Sequence, residues 1–236
     1  MKKKLHICSF GMKPSDISLE TLNILQNAGA VISDSLKDDG KISKICKNFI
    51  FASHDKTNLE GVSKAENEIA KALSKNKDIV YFTCGNPMFL NRIHEKIAEK
   101  FSQADITLYP ALSSFDYVVQ FLREEYGVDD FDCVFLMRPR YFPKEYSFSP
   151  LVVFNPFSLL KDKKVFDNFF SLISSYYPKN HLCSLIKISA YPDYSFSHKT
   201  FSVKNFVKFL KSVTPEDTLY IPACSKKKTD YIPGNW

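Results

Sequence analysis

Three short segments place glycine, proline and hydroxyl or amide side chains at spacings that suit a small ligand. In Cys84-Gly85-Asn86-Pro87-Met88, a glycine directly after an apolar run lets a ligand approach the backbone, and Asn86 offers both donor and acceptor groups. Pro110-Ala111-Leu112-Ser113-Ser114-Phe115 puts two hydroxyls where a helix is due to begin. They can hold a carboxylate or simply cap the helix, and capping is the ordinary use. Ser9-Phe10-Gly11 is too short for a dinucleotide fingerprint, because G-x-G-x-x-G is absent and Ser9 stands where its first glycine would be. Gly11 taken alone reads as a turn residue. His54 and His94 stand apart from other chemistry-bearing residues and read as surface or core histidines rather than bases. The six cysteines, Cys8, Cys46, Cys84, Cys133, Cys183 and Cys224, form no C-x-x-C pair and have no histidine at metal-ligand spacing. They read as reduced, mostly buried thiols, with no metal site.

These segments need elements to position them, and the apolar pattern supplies a strand before each one. Leu5 to Cys8 predicts a first strand ending near Gly11. A helix follows over Ile17 to Ala28, with Ser18 as N-cap and Gly29 as its stop. Ala30 to Ser33 is the second strand, then come a turn at Asp38-Asp39-Gly40, a short helical stretch near Ile42 to Cys46 and an extended Phe49 to Phe51. Val62 to Ser74 is amphipathic, and Ile79 to Thr83 is the clearest buried strand, running into Cys84-Gly85 before a helix over Phe89 to Phe101. Ile106 to Tyr109 and a helix over Phe115 to Glu125 complete a strand-helix series, which argues for a parallel sheet covered on both faces.

Gly127 to Asp130 is a turn-rich break, and it divides the chain into an N-terminal α/β lobe, 1–126, and a C-terminal α/β lobe, 127–236. The second lobe reads as strands at Cys133 to Leu136, Leu151 to Phe154, Leu182 to Ile188 and Thr218 to Ile221, with helices at Phe166 to Ser174 and Phe201 to Leu210. Arg138 to Ser149 reads as a surface connection. A length of 236 residues with 44% hydrophobic composition allows two modest cores. No apolar run approaches the roughly 20 residues of a bilayer span, and Met1-Lys2-Lys3-Lys4 is followed by no signal-peptide core. A cytoplasmic protein without a membrane segment is the expectation. The net charge of +6 is spread along the chain, with one tight run at Lys226-Lys227-Lys228, which gives little support to nucleic-acid binding.

The order and spacing of the three loops resemble the S-adenosylmethionine-dependent methyltransferases named after the tetrapyrrole methylases, over nearly the whole chain. Ile7 through Gly11, Ser18-Leu19-Glu20-Thr21-Leu22 and Ile32-Ser33-Asp34 are similar to that family's strand and loop, Leu-Thr-rich helix, and strand ending in Asp. Gly85-Asn86-Pro87 resembles its Gly-Asp-Pro loop, and Pro110 to Ser114 its Pro-Gly-Ile-Ser-Ser turn. Thr218 to Pro222 resembles its last strand and proline. The first loop reads Gly11-Met12-Lys13-Pro14-Ser15-Asp16 rather than the Gly-Pro-Gly-Asp of porphyrin and corrin enzymes, a spacing closer to the borosin branch, which methylates backbone amides of ribosomal peptides.

The resemblance implies two α/β lobes with the cofactor cleft between them, S-adenosyl-L-methionine as cofactor, and a homodimer. It further implies that Gly85, Asn86, Met88, Ser113 and Ser114 hold the methionine part of the cofactor, that Phe154, Asn155 and Thr218 border the adenine, and that Gly11, Cys84 and Phe89 complete the set. A peptide (RiPP precursor) or related natural product is the implied acceptor. The alternatives are a tetrapyrrole or corrinoid precursor and a non-catalytic paralogue acting as a binding partner. The tyrosine that the borosin branch carries before its Gly-x-Pro loop is replaced by Cys84. Strand alternation sets Tyr81 on the face opposite Phe82, so the pattern leaves open whether Tyr81 substitutes.

Overall fold

The central strands of the first sheet are mostly apolar, and the outer one at Asp105–Leu108 alternates polar and apolar residues. The computed structural model describes residues 2–37, 40–52, 62–90, 93–135 and 149–224. Five strands, β1 (Lys4–Ser9), β2 (Ala30–Ser33), β3 (Phe49–Phe51), β4 (Asp78–Thr83) and β5 (Asp105–Leu108), form a sheet of order β3-β2-β4-β1-β5. All its pairings are parallel, with Ser9 beside Thr83 and Ser33 beside Phe82. Strand alternation then sorts the side chains onto two covered faces. Leu5, Ile7, Ile32, Ile79 and Tyr81 pack with Ala65 and Ile69 of α2 (Val62–Lys75) and with Ile97 of α3 (Ile93–Lys100). Cys8, Phe10, Val31, Val80 and Phe82 pack with Leu25 of α1 (Leu19–Asn27) and with Leu36 and Ile42.

Because the strands run parallel, the loops leaving β1, β2, β4 and β5 all emerge at one edge. The chain leaves β1 through α1 toward β2 and leaves β4 through α3 toward β5, in opposite directions from neighbouring strands. That makes the β1/β4 pair the switch point of the sheet, the place where open α/β sheets take ligands.

The chain divides into two compact units, Met1–Tyr117 with Ser189–Tyr194, and Val118–Ile188 with Ser195–Trp236. The division falls inside α4 (Ser114–Tyr126), while the turn-rich break at Gly127 lies directly after that helix. In the second unit β6 (Asp132–Phe135), β7 (Leu151–Phe154), β8 (Leu182–Ser189), β9 (Ser195–Ser202) and β10 (Asp217–Ile221) form a sheet of order β6-β7-β10-β8-β9. It is mixed: β6 and β7 are parallel, while β10 is antiparallel to both β7 and β8. One face is closed by Phe169 and Ile173 of α5 (Lys163–Tyr176) and by Phe206 and Leu210 of α6 (Phe206–Leu210), packed on Leu151, Val153, Cys183, Leu185, Leu219 and Ile221.

The sequence reading gave no strand at β9, and three of its expected elements differ from this fold. The helix expected over Phe201 to Leu210 is shorter, because Phe201 and Ser202 end β9 and a 3-10 turn, Val203–Asn205, precedes α6. Phe201, Val203, Phe206 and Leu210 share one core across that junction, which mimics helical spacing in the sequence. The helix expected from Phe89 begins at Ile93, since Phe89 closes a turn by donating its N–H to the Asn86 carbonyl at 2.9 Å. Near Ile42 to Cys46 the chain makes a single turn, in which Ile45 and Cys46 both donate to the Ile42 carbonyl. His54, Asp38-Asp39, residues 138–148 of the expected surface connection and the run at Lys226-Lys227-Lys228 lie outside the described residues.

Candidate active site

The two glycines at the switch point are joined directly. Gly85 donates its N–H to the Gly11 carbonyl at 2.8 Å, which ties the β4 loop to the β1 loop just beyond the parallel pairing. Both have positive φ, +69° at Gly11 and +66° at Gly85, a conformation that glycine adopts at no steric cost. Their surroundings differ. A Cβ on Gly11 would fall 2.4 Å from the Asp16 Cβ, whereas a Cβ on Gly85 would meet nothing within 4 Å. Gly85 therefore faces open space. Beside it, Asn86 Oδ1 accepts from the Met88 N–H at 3.0 Å, Cys84 is half-buried and Met88 is exposed.

The β1 loop is closed on itself by Asp16. Its carboxylate accepts from the Met12 N–H at 3.0 Å, the Lys13 N–H at 3.3 Å and the Tyr117 hydroxyl at 2.8 Å. Burial, together with the hydrogen bond and charge of Asp16, pushes the Tyr117 phenol well above its ordinary pKa, so the donor stays protonated. The Lys13 ammonium lies 5.4 Å and 5.0 Å from the ring centres of Tyr117 and Tyr194, within cation–π range. The segment carrying Tyr194 is fastened to the same loop, for Tyr191 donates its N–H to the Met12 carbonyl at 2.7 Å.

The β5 loop ends in a capped helix. Ser113 Oγ accepts from the Phe115 N–H at 3.2 Å, and Asp116 accepts from the Ser113 N–H at 2.7 Å and its hydroxyl at 3.0 Å. Ser113 is thus the N-cap of α4, which leaves Ser114 as its first residue. Phe115 lies 5.6 Å, ring to ring, from Phe89, so the β4 and β5 loops meet through these aromatics.

A second polar group sits at the ends of β2 and β4. Asp34 is only 6% exposed and accepts from the Tyr81 hydroxyl at 2.6 Å and from Ser35 Oγ at 2.5 Å. Ser35 Oγ is also 3.4 Å from Thr83 Oγ1, at the residue before Cys84. Sequence reasoning named Asp34 only as the end of a strand and left Tyr81 undecided. Alternation does set Tyr81 opposite Phe82, and that is the face on which its hydroxyl reaches Asp34. Lys13, Asp16, Tyr117 and Tyr194 carried no recognisable signal, because their grouping depends on three separated segments.

The expected site residues thus fall into two sets. Gly11, Cys84, Gly85, Asn86, Met88, Phe89, Ser113 and Ser114 gather at the carboxyl edge of the first sheet. Phe154, Asn155 and Thr218 belong to the second unit. Phe154 and Thr218 are buried cross-strand partners, while Asn155, at φ +57°, donates its side-chain amide to Ser158 Oγ at 2.6 Å. Among the described residues no group of acidic, histidine or cysteine side chains could hold a metal ion, and no helix is long and apolar enough to cross a membrane.

A parallel sheet with a glycine-paired switch point, followed by a mixed second sheet, defines a two-unit α/β fold with its ligand edge at the end of the first sheet. The sequence profile of the Tetrapyrrole (Corrin/Porphyrin) Methylases matches residues 4–193, and the chain belongs to that family. It is an S-adenosylmethionine-dependent methyltransferase. Among similar solved structures, uroporphyrin-III C-methyltransferase from Thermus thermophilus has a TM-score of 0.60 at 15% identity, covering 94% of this chain and 93% of its own. The same enzyme complexed with S-adenosylhomocysteine gives 0.59 at 13%, covering 93% and 97%. A cobalamin biosynthetic enzyme, cobalt precorrin-4 methyltransferase, gives 0.59 at 18%, covering 93% and 94%. A search of curated proteins finds no match.

The residues present suit the cofactor. A Cβ on Gly85 would meet nothing within 4 Å, so no protein atom bars a ligand from its backbone, and the adjacent Asn86 side chain adds a hydrogen-bonding group.

Proposed function

We propose that this methyltransferase acts on a peptide, of the ribosomal-precursor type, or on a related natural product. The observation carrying this reading is the first loop. Where porphyrin and corrin enzymes have Gly-Pro-Gly-Asp, this chain puts Lys13 and clamps it between Tyr117 and Tyr194. A side chain held between two aromatic rings thereby stands in a loop where those enzymes carry glycines, which favours a slender acceptor over a macrocycle. S-adenosylmethionine, when bound, supplies an electrophilic methyl group. The protein's part is to hold the acceptor in line and exclude water. Gly85, Asn86 and Met88 with Ser113 and Ser114 are the residues proposed to hold the methionine part, and Phe154, Asn155 and Thr218 those at the adenine. We propose a homodimer as the working assembly, to be read from sedimentation equilibrium.

A tetrapyrrole or corrinoid acceptor is the second reading, supported by the names of the similar structures and by the net charge of +6, which suits a polycarboxylate. Purified protein incubated with S-adenosylmethionine and, separately, peptide and uroporphyrinogen acceptors separates the two by mass spectrometry. Gain of a methyl group on peptide alone supports the first reading, and gain on the tetrapyrrole alone replaces it with the second. Binding of S-adenosylmethionine without transfer to either points to the non-catalytic alternative.

A further inference from the structure

Asp34 is a buried acid whose partners donate hydrogen bonds and bring no charge. Both oxygens accept, one from Tyr81 and one from Ser35, the pattern of an ionised carboxylate. Among the described residues no Lys, Arg or His lies within ion-pair distance of it. A carboxylate at 6% exposure without a counter-charge is costly, and hydroxyl donors lower that cost without neutralising the group. Burial first, then the neighbouring Asp34 charge, pushes the Tyr81 phenol well above its ordinary pKa. Tyr81 therefore remains a neutral hydrogen-bond donor to the acid. The network does not end in the core. Through Ser35 it reaches Thr83, and the next two residues are Cys84 and the glycine that faces open space.

We infer that Asp34, held by Tyr81 and Ser35 at the carboxyl edge of the first sheet, is the negative pole that favours the cationic sulfonium of S-adenosylmethionine over the neutral thioether of S-adenosylhomocysteine. The inference rests on the cofactor assignment and extends it to how substrate cofactor is told from product. The two molecules differ by one methyl group and one unit of charge. A fixed carboxylate near the β4 loop holds the first more tightly and loses that hold once the charge has gone, which favours product release. A unit charge about 10 Å away at an effective dielectric of about 20 changes affinity about tenfold.

The test is isothermal titration of S-adenosylmethionine, S-adenosylhomocysteine and sinefungin, a cofactor analogue with a cationic amine, into wild type, Asp34→Asn, Asp34→Ser and Asp34→Glu. Asp34→Asn should lower the ratio of S-adenosylmethionine to S-adenosylhomocysteine affinity about tenfold, the scale of one lost unit charge, with sinefungin following S-adenosylmethionine and S-adenosylhomocysteine itself little changed. Asp34→Glu should keep the wild-type ratio. Asp34→Ser gives a second neutral side chain, read where circular dichroism finds Asp34→Asn unfolded. An unchanged ratio in a folded neutral variant overturns the inference while leaving the cofactor assignment intact. Wild-type protein that binds none of the three overturns both.

Discussion

Gly11 and Gly85 have nearly the same backbone angles and bond to each other, yet a methyl group added to each meets opposite conditions. On Gly11 it collides with the Asp16 side chain, which organises the whole β1 loop. On Gly85 it enters open space, and only the left-handed backbone resists, at about 1–2 kcal/mol. The two substitutions should therefore separate folding from binding. Gly11→Ala should lower the melting temperature well beyond Gly85→Ala. Gly85→Ala should weaken S-adenosylhomocysteine binding by at least about tenfold, since it fills the open space proposed for the ligand. Thermal melts and titrations on both variants check this, and a Gly85→Ala protein with wild-type affinity would remove Gly85 from the cofactor site. Cys84, one residue earlier and half-buried, supplies an independent readout. Its alkylation should slow when S-adenosylhomocysteine is present, whereas that of buried Cys46 should not change.

At the scale of elements, helix α4 carries the β5 loop and begins with a reciprocal cap between Ser113 and Asp116. Ser113→Ala should cost about 1 kcal/mol in denaturant unfolding, the usual worth of such a cap. If Ser113 were chiefly a ligand contact, the loss would fall on cofactor affinity instead, with stability close to wild type. Elements of this kind were legible in the sequence because their signals are local. The run Ile79 to Thr83 is buried throughout, Ser18 caps α1 by accepting from the Thr21 N–H, and each glycine-bearing loop follows its strand. Strand β9 was not legible. Its residues Ser195 to Thr200 are all exposed and, apart from Phe196, all polar, with only Phe201 and Ser202 turning inward, so no apolar periodicity marked it. The polar part of the site was hidden for a different reason. Asp16 with Tyr117, and Asp34 with Tyr81, are pairs distant in the chain that only the sheet brings together.

Over the whole molecule, each unit keeps a deeply buried thiol against its sheet, Cys8 in the first and Cys183 in the second. Burial pushes both up to about 12 from an ordinary value of 9.0, with Glu20 adding to the shift at Cys8. These are acids whose folded pKa lies above the unfolded one, so the folded protein holds its protons where the unfolded chain has released them. Their contribution to stability is complete below pH 9.0 and is lost as pH rises toward about 12. Tyr220, raised by burial to about 12 from 10.0, acts in the upper part of the same window. Melting temperature should thus fall between pH 8.5 and about pH 10.5, and it should fall less in a Cys8→Ala, Cys183→Ala double variant, which retains there only the contributions of the tyrosine and of Cys133, raised by burial to about 11. Both units carry the effect, so neither alone sets the alkaline limit: each single variant should recover part of the loss and the double variant more than either. A double variant with the full wild-type slope would place the alkaline weakness elsewhere, in lysine deprotonation on this basic surface.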